Sequence, residues 1–298
     1  VIVTDHHLPD ASCTIPNADI VIDPNAIAGT AEFNGYCGAG IAYKLAIEIL
    51  GENHLLIPKL LSLAAIATVA DVMPLVEENR IIVKKGLSTM LTQNGRTAGL
   101  AAVLAECKQE NYFSAKNVAF KLAPMLNAPG RLQDDGAEIS FDILTFEGSY
   151  IDAIEKAAFL SDMNSKRKTE KENGLKILHK NMQENCLYGE SPLVIYEPNL
   201  PEGLVGIFAG QLAEEFKVPC FILTDSDEEG IAKGSGRAYG EINIKDLLDN
   251  HSDLMVKYGG HAEAAGISLP KDKIDEFKYA LMEDLAEIPV ETDDTMYY

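Results

Sequence analysis

Between residues 150 and 185 the chain carries one uninterrupted helical pattern. Ile151, Ile154 and Ala158 recur at helical spacing near its start, and Leu175, Leu178 and Met182 near its end. The middle, from Asn164 to Gly174, holds Lys166, Arg167, Lys168 and Lys171 and almost nothing apolar. A helix apolar only toward its ends predicts a connector between two folded parts, with its centre solvated or facing a cleft between domains. On both sides of it, short apolar segments of strand length alternate with amphipathic segments of helix length, the pattern of α/β layers.

Before the connector the spacing predicts strands over 1–4 and 20–23, and helices over 39–50, 55–70, 78–91 and 115–126. Ser114 is placed to cap the last of these, and Gly99, Pro129 and Gly130 punctuate the region. After it come strands over 193–196, 220–224, 230–234 and 266–269, and helices over 203–216, 244–250 and 273–287. The expected fold class is α/β: a parallel-sheet domain over 1–149, the connecting helix over 150–185, and a smaller α/β domain over 186–298.

Charge restricts function. Twenty-five Lys and Arg stand against 46 Asp and Glu, a formal net charge of -21. Taken alone, this argues against a protein held on nucleic acid by a broadly basic surface. The connector, with seven basic and six acidic residues over 151–185, is net +1, so the remainder sums to -22. The most apolar run, 60–70, ends at Asp71 and falls well short of the ~20 residues a membrane helix needs. Cys13, Cys37, Cys107, Cys186 and Cys220 are scattered, with neither disulfide-framework nor zinc-knuckle spacing, which predicts a reducing, cytoplasmic setting. Val1 opens what reads as the end of a strand, and from Glu283 the tail is acidic, so the expectation is a fragment of a longer protein.

Several segments can carry chemistry. Asp5-His6-His7 follows a strand directly, and open α/β sheets place ligands at the carboxyl ends of strands. Imidazole is a metal ligand, and a neighbouring carboxylate can orient it; a polar turn with two solvated histidines is equally compatible. Asp71 ends the most apolar helix, where a carboxylate needs a partner such as a metal ion, although it could equally cap the following turn. Asn127-Ala128-Pro129-Gly130-Arg131 places a guanidinium after a rigid turn, able to fork onto a phosphate. Lys233-Gly234-Ser235-Gly236-Arg237 and Tyr258-Gly259-Gly260-His261 combine glycines with cationic side chains, as anion cradles do. Each also reads as a tight turn between strand and helix. His54, His179 and His251 lack companions at ligand spacing and are assigned to the surface, as are Asp134-Asp135 and the acidic run 225–229.

In order, these segments resemble the DHH phosphoesterase superfamily, and within it the RecJ-type single-strand DNA exonucleases. Asp5-His6-His7 resembles the motif that names the superfamily. The RecJ branch is suggested by the segments 35–45, 70–75 with Glu78-Asn79-Arg80, and 126–131. Segments 202–207, 235–237 and 259–266 are similar to the associated DHHA1 domain. The resemblance implies a two-metal site for Mn2+ or Mg2+ with His6 and Asp71 as ligands, Asp5 orienting and His7 on the scissile phosphate. It implies Arg131, Ser235, Arg237, Gly259, Gly260 and His261 on the strand's phosphates, from the two sides of an interdomain cleft. The implied reaction is hydrolysis of single-stranded DNA from its 5′ end to 5′-mononucleotides, in recombination and repair. No membrane is involved; a single-strand-binding protein or helicase is the implied partner, and the chain a monomer.

Three departures qualify these expectations. The family's first two metal-binding motifs would lie before Val1, so the 298 residues alone are expected to bind metal weakly and to cut little. Leu200-Pro201 and Gln211 stand where the DHHA1 signature usually has an aromatic-His pair and an arginine. The OB-type domain that usually follows would lie beyond Tyr298. Two alternatives accompany the main reading: a DHH/DHHA1 phosphodiesterase of short oligonucleotides or cyclic dinucleotides, and a non-catalytic nucleic-acid-binding DHH protein.

Overall fold

A computed structural model of the protein describes residues 1–7, 16–26, 31–108 and 112–287. Cys13 and most of the acidic tail lie outside the described residues. The chain divides into two compact units, the first built from Val1–Gly130 and Asp134–Asn164, the second from Arg131–Gln133 and Ser165–Tyr298.

In the first unit β1 (Ile2–Thr4) pairs in parallel with β2 (Ile20–Ile22), Ile2 opposite Ile20. Helices α1 (Gly38–Leu50), α2 (Ile57–Ala70) and α3 (Glu77–Thr89) follow. Ala64, Ala65, Ile66 and Val69 of α2 are all buried, with Tyr36, Ile41 and Ile82 packed around the first two. The approach of α3 is close: a Cβ on Gly86 would lie 2.4 Å from the Ala65 Cβ and 2.7 Å from the Leu61 carbonyl oxygen.

Gly99 does not break the chain. It sits inside α4 (Ala98–Glu106), where a Cβ would meet the Ile143 carbonyl oxygen at 1.8 Å, so it lets α4 pack on α8 (Gly136–Thr145). The expected helix over 115–126 is three pieces, α5 (Ala115–Asn117), a π-helical turn Val118–Leu122, and α6 (Ala123–Leu126). Pro124, with no N–H to donate, is the second residue after the widened turn. Pro129 and Gly130 form no rigid turn but lie within the short helix α7 (Ala128–Leu132).

The long helix α9 (Tyr150–Glu184) forms as expected but on a different face near its start. Ala153, Ala157, Leu160 and Met163 turn inward at i, i+4, i+7 and i+10, while Ile151 is 73% exposed. Small Ala side chains permit the close contact that Ile would block.

The second unit is a five-stranded sheet in the order β3 (Leu193–Tyr196), β4 (Cys220–Asp225), β5 (Ile231–Arg237), β7 (Ala264–Pro270), β6 (Lys257–Gly260). Only β3 and β4 run parallel. Alternation in β4 divides the core: Cys220 and Ile222 pack with the end of α9 and α10 (Val205–Phe216), while Phe221 and Leu223 pack with α11 (Ile244–Asn250) and α12 (Ile274–Glu287). Phe221 and Phe277 meet edge to face, centroids 5.5 Å apart. The glycine-rich segments, which also read as tight turns, lie largely in strands, the one expected over 230–234 running on to Arg237. Gly234 and Gly236 leave room for the Ile222 carbonyl and the Phe221 ring, and 257–260 is an additional edge strand.

Gly86→Ala is expected to lower unfolding stability by about 1–3 kcal/mol, the range for overpacking a tight helix contact. A shift of the urea midpoint at unchanged slope would register it; an unshifted midpoint would mean α3 can retreat from α2 freely.

Candidate functional site

The first candidate centre begins where β1 ends. The Asp5 N–H still donates to the Ile22 carbonyl at 3.0 Å, continuing the pairing, and the next residues leave the sheet at its carboxyl end. Asp5 Oδ1 accepts from the backbone N–H of His6 at 2.7 Å and of His7 at 3.3 Å, and lies 2.7 Å from His7 Nδ1. The bond to the His7 ring, followed by the backbone bond from His6, holds the Asp5 carboxyl below the ordinary aspartate value. His6 is half-buried. Its carbonyl accepts from Asn25 Nδ2 at 2.8 Å, and a Cβ on Gly38, at the start of α1, would lie 3.5 Å from its Cδ2.

Asp71 arrives from α2. The helix closes with the Met73 N–H donating to the Thr68 carbonyl at 3.1 Å and the Val72 N–H to the Val69 carbonyl at 3.2 Å, a pairing that normally requires glycine at the left-handed position. Val72 occupies it at φ 55°, a strain of about 1–2 kcal/mol for an L side chain. The turn delivers Asp71 Oδ2 to 3.9 Å from His6 Nε2, with half its side chain exposed. The fully buried Asn79 amide secures the loop from below, donating to the Pro74 carbonyl at 3.0 Å and to the Gly35 carbonyl at 2.6 Å. Beside it, Lys44 bonds Glu78 at 2.6 Å and the Tyr36 hydroxyl at 3.0 Å. Burial opposes the Lys44 charge, but these bonds outweigh it and raise its pKa, and the same pairing lowers that of Glu78.

Asp5, His6 and His7 present ligand atoms that all lie within 4.8 Å of one another, with Asp71 at the His6 ring. Two imidazoles and two carboxylates at a partly exposed strand end suit a divalent ion.

The second group lies in the other unit. By its contacts Arg131 groups with this unit, which also holds Arg237. Arg131 Nη1 donates to the Gly203 carbonyl at 3.4 Å, and a Cβ on Gly203 would lie 2.3 Å from the Arg131 carbonyl oxygen. Three residues on, a Cβ on Gly206 would approach Arg237 Nη2 to 2.9 Å. These two contacts explain the glycine spacing of Glu202-Gly203-Leu204-Val205-Gly206. Arg237 Nη1 donates to Ser235 Oγ at 2.7 Å and to its neighbour's carbonyl at 2.9 Å, and Ser235 Oγ donates to the Ala265 carbonyl at 3.2 Å. Since Arg237 pairs with Ala264, the end of β6 with Gly259 and Gly260, and the turn with His261 that follows it, share its end of the sheet. The His261 N–H closes that turn on the Ala264 carbonyl at 2.8 Å, and Gly260 sits at φ 152°.

The structure brings Asp5, His6, His7 and Asp71 together, and it groups Arg131, expected on the opposite side of a cleft, with Ser235, Arg237 and the 259–261 segment in one unit. Sequence patterns missed Asn25 and Asn79; Asn79 lies in the Glu78-Asn79-Arg80 segment, where an amide beside a charged pair is an available signal. Some residues assigned to open surface are engaged instead. His251 Nε2 pairs with Asp284 at 3.0 Å, His179 lies 3.7 Å from Glu215, and Asp225 binds Lys271 at 2.7 Å. The four described cysteines are free, and burial pushes the Cys107 thiol up to about 11. A cavity of about 1100 Å³ in the first unit, near His54, Lys59, Arg96 and Tyr150, includes none of the candidate site residues.

Residues 189–287 match the DHHA1 domain family. The chain is 34% identical over 93% of its length to the single-stranded-DNA-specific exonuclease RecJ of Dickeya dadantii, covering 50% of that protein, and 33% identical to that of Bacillus subtilis, covering 35%. The chain thus spans about half the length, or less, of these curated relatives. Among solved structures it is similar to RecJ from Thermus thermophilus with Mn2+, at a TM-score of 0.80 and 30% identity, over 97% of this chain and 41% of that one. A second structure, of exonuclease RecJ bound to manganese, gives 0.72 at 30% identity, with 97% of this chain and 69% of that one covered. Among the described residues no helix is long and apolar enough to cross a membrane.

A carboxyl titration followed by NMR is expected to place the Asp5 midpoint below 3.8, and His7→Ala to return it toward that ordinary value. Because the folded pKa is depressed, the stabilisation is complete above the unfolded value and lost as pH falls through the folded one. Identical midpoints in the two proteins would remove the ring bond as the cause.

Proposed function

Because the chain belongs to the RecJ-type branch of the DHH phosphoesterases, we propose that it forms part of a metal-dependent exonuclease that hydrolyses single-stranded DNA from its 5′ end to 5′-mononucleotides in recombination and repair. The observation that carries the reading is the arrival of Asp71 at the His6 ring, 3.9 Å away, beside the Asp5–His7 pair. His6 and Asp71 would hold the divalent metal, Mn2+ or Mg2+. Asp5 orients the loop and the His7 ring, and His7 contacts the scissile phosphate. When bound, the metal supplies charge stabilisation to the attacking and leaving oxygens.

Arg131, Ser235, Arg237, Gly259, Gly260 and His261 hold phosphates of the strand. The guanidiniums offer forked donors, and the glycines let backbone amides approach. The assigned domains are a DHH domain over 1–149, a connecting helix over 150–185 and a DHHA1 domain over 186–298. Single-stranded DNA is the substrate; a single-strand-binding protein or helicase is the partner, and the enzyme acts as a cytoplasmic monomer.

His6→Ala or Asp71→Ala, in the full-length gene product, is expected to reduce Mn2+-dependent release of mononucleotides on the order of 10²–10³-fold, equivalent to several kcal/mol of charge stabilisation. Circular dichroism should show both variants folded. Turnover at the unsubstituted rate in either would remove that side chain from the metal site.

A further inference from the structure

The turn that delivers Asp71 holds a residue its backbone does not favour. Among the described residues six non-glycines have positive φ, and Val72 is the one with a branched Cβ; the others are Glu77, Lys108, Cys186, Asn199 and Lys217. A β-branched side chain at positive φ is a true outlier, since both of its γ carbons crowd the backbone. Glycine would close the same two hydrogen bonds, from the Val72 N–H to the Val69 carbonyl and from the Met73 N–H to the Thr68 carbonyl, without strain.

Burial does not offset the strain. Val72 is 87% exposed, so its isopropyl group gains almost none of the hydrophobic free energy of a core valine. Neither the turn nor the packing of the unit accounts for the side chain, and its position does. Asp71, the preceding residue, reaches to 3.9 Å from His6 Nε2. Further along the same loop Leu75 and Val76 are 39% and 52% exposed. The loop is held so that these groups cannot fold away: Glu77 closes it at φ 41°, and the buried Asn79 amide grips the Pro74 carbonyl at 3.0 Å. Three aliphatic side chains within five residues thus form a fixed apolar ledge that starts next to the candidate metal ligand. Strain kept at an exposed side chain beside a reactive centre points to a role in the bound state.

We propose that Val72, with Leu75 and Val76 of the same loop, seats a nucleobase: the ledge packs on the base of the nucleotide whose phosphate reaches the His6–Asp71 centre, and so positions that phosphate. Every base has an apolar face, so the contact is independent of sequence, as stepwise degradation of a strand requires. The inference rests on the reading of that centre as a nuclease site and adds a substrate-binding residue to it.

The test uses the full-length gene product and compares V72N, V72L and D71A with the unsubstituted enzyme. Asparagine adopts positive φ readily, and leucine keeps the apolar contact without the branch. V72N is expected to raise KM for oligothymidine about five- to tenfold with kcat nearly unchanged, the mark of a lost binding contact, and to weaken metal-free oligothymidine binding in anisotropy by about the same factor. Its thermal midpoint should not fall, because strain is relieved. V72L should keep KM within about twofold of the unsubstituted value. On a strand whose 5′-terminal nucleotides are abasic, V72N and the unsubstituted enzyme should have equal KM. Equal KM on oligothymidine, with D71A inactive, would overturn the ledge and leave the nuclease reading intact. A V72N defect undiminished on the abasic strand would overturn the base as the partner. A lowered thermal midpoint in V72N without a change in KM would assign Val72 to the fold and overturn the proposal. D71A as active as the unsubstituted enzyme would overturn the centre and the ledge together.

Discussion

The first unit depends on helix α2 being buried on nearly every side. Alanines at 64 and 65 allow α1 and α3 to come close, and Gly86 removes the one Cβ that would hold α3 off. A helix so enclosed must leave the interior abruptly, and its first carboxylate, Asp71, falls where it does. The left-handed Val72 is the local cost of that exit, borne by a turn in which the Ala67, Thr68 and Val69 carbonyls each accept a backbone N–H. Asn79 then converts a packing constraint into a positional one, because one buried amide binds both the loop after Asp71 and the loop that leads into α1 beside His6. The proximity of His6 and Asp71 is thus a product of hydrophobic packing, transmitted through two backbone carbonyls.

In the second unit backbone proximity has the same organising role. Gly203 admits the Arg131 main chain and Gly206 the Arg237 side chain, so the start of α10 can lie against two arginines that no larger residue would accommodate. The β5–β7 register then sets Arg237 beside the hairpin turn with His261. Glycine here works by absence of volume more than by unusual dihedral angles; among the site glycines only Gly260 has a φ that favours it.

This explains what was legible in the sequence. Periodicity found the strands at 1–4 and 193–196 and the helices ending at Leu50 and Ala70, because burial on one face leaves a pattern in hydrophobicity. It failed where small residues mediate contact. Gly99 read as punctuation although it seats α4 on Ile143, and Gly236, beyond the strand expected to end at 234, is a strand residue facing an aromatic ring. Ile151 read as core while Ala153 and Ala157 are the buried positions, since hydrophobicity does not report how near a neighbouring backbone lies. The candidate centre was legible because its chemistry is compact in sequence, three of its four residues being consecutive.

The acidic balance of the chain and a site for a polyanion are compatible for a reason that depends on distance. At physiological ionic strength exposed charges are screened over about 8 Å, so a carboxylate on a remote surface scarcely affects an arriving phosphate. Local partners decide the potential, and the described ion pairs show how they are allotted: lysines such as Lys44, Lys233 and Lys271 are each committed to a carboxylate, while Arg131, Arg167 and Arg237 are committed to none. A guanidinium is the better group to leave uncommitted, being weakly hydrated and able to fork two donors onto one oxyanion where an ammonium offers a point charge. Net charge therefore describes the solvent-facing majority of the surface, and what an arriving anion meets is set by the few guanidiniums that no carboxylate neutralises.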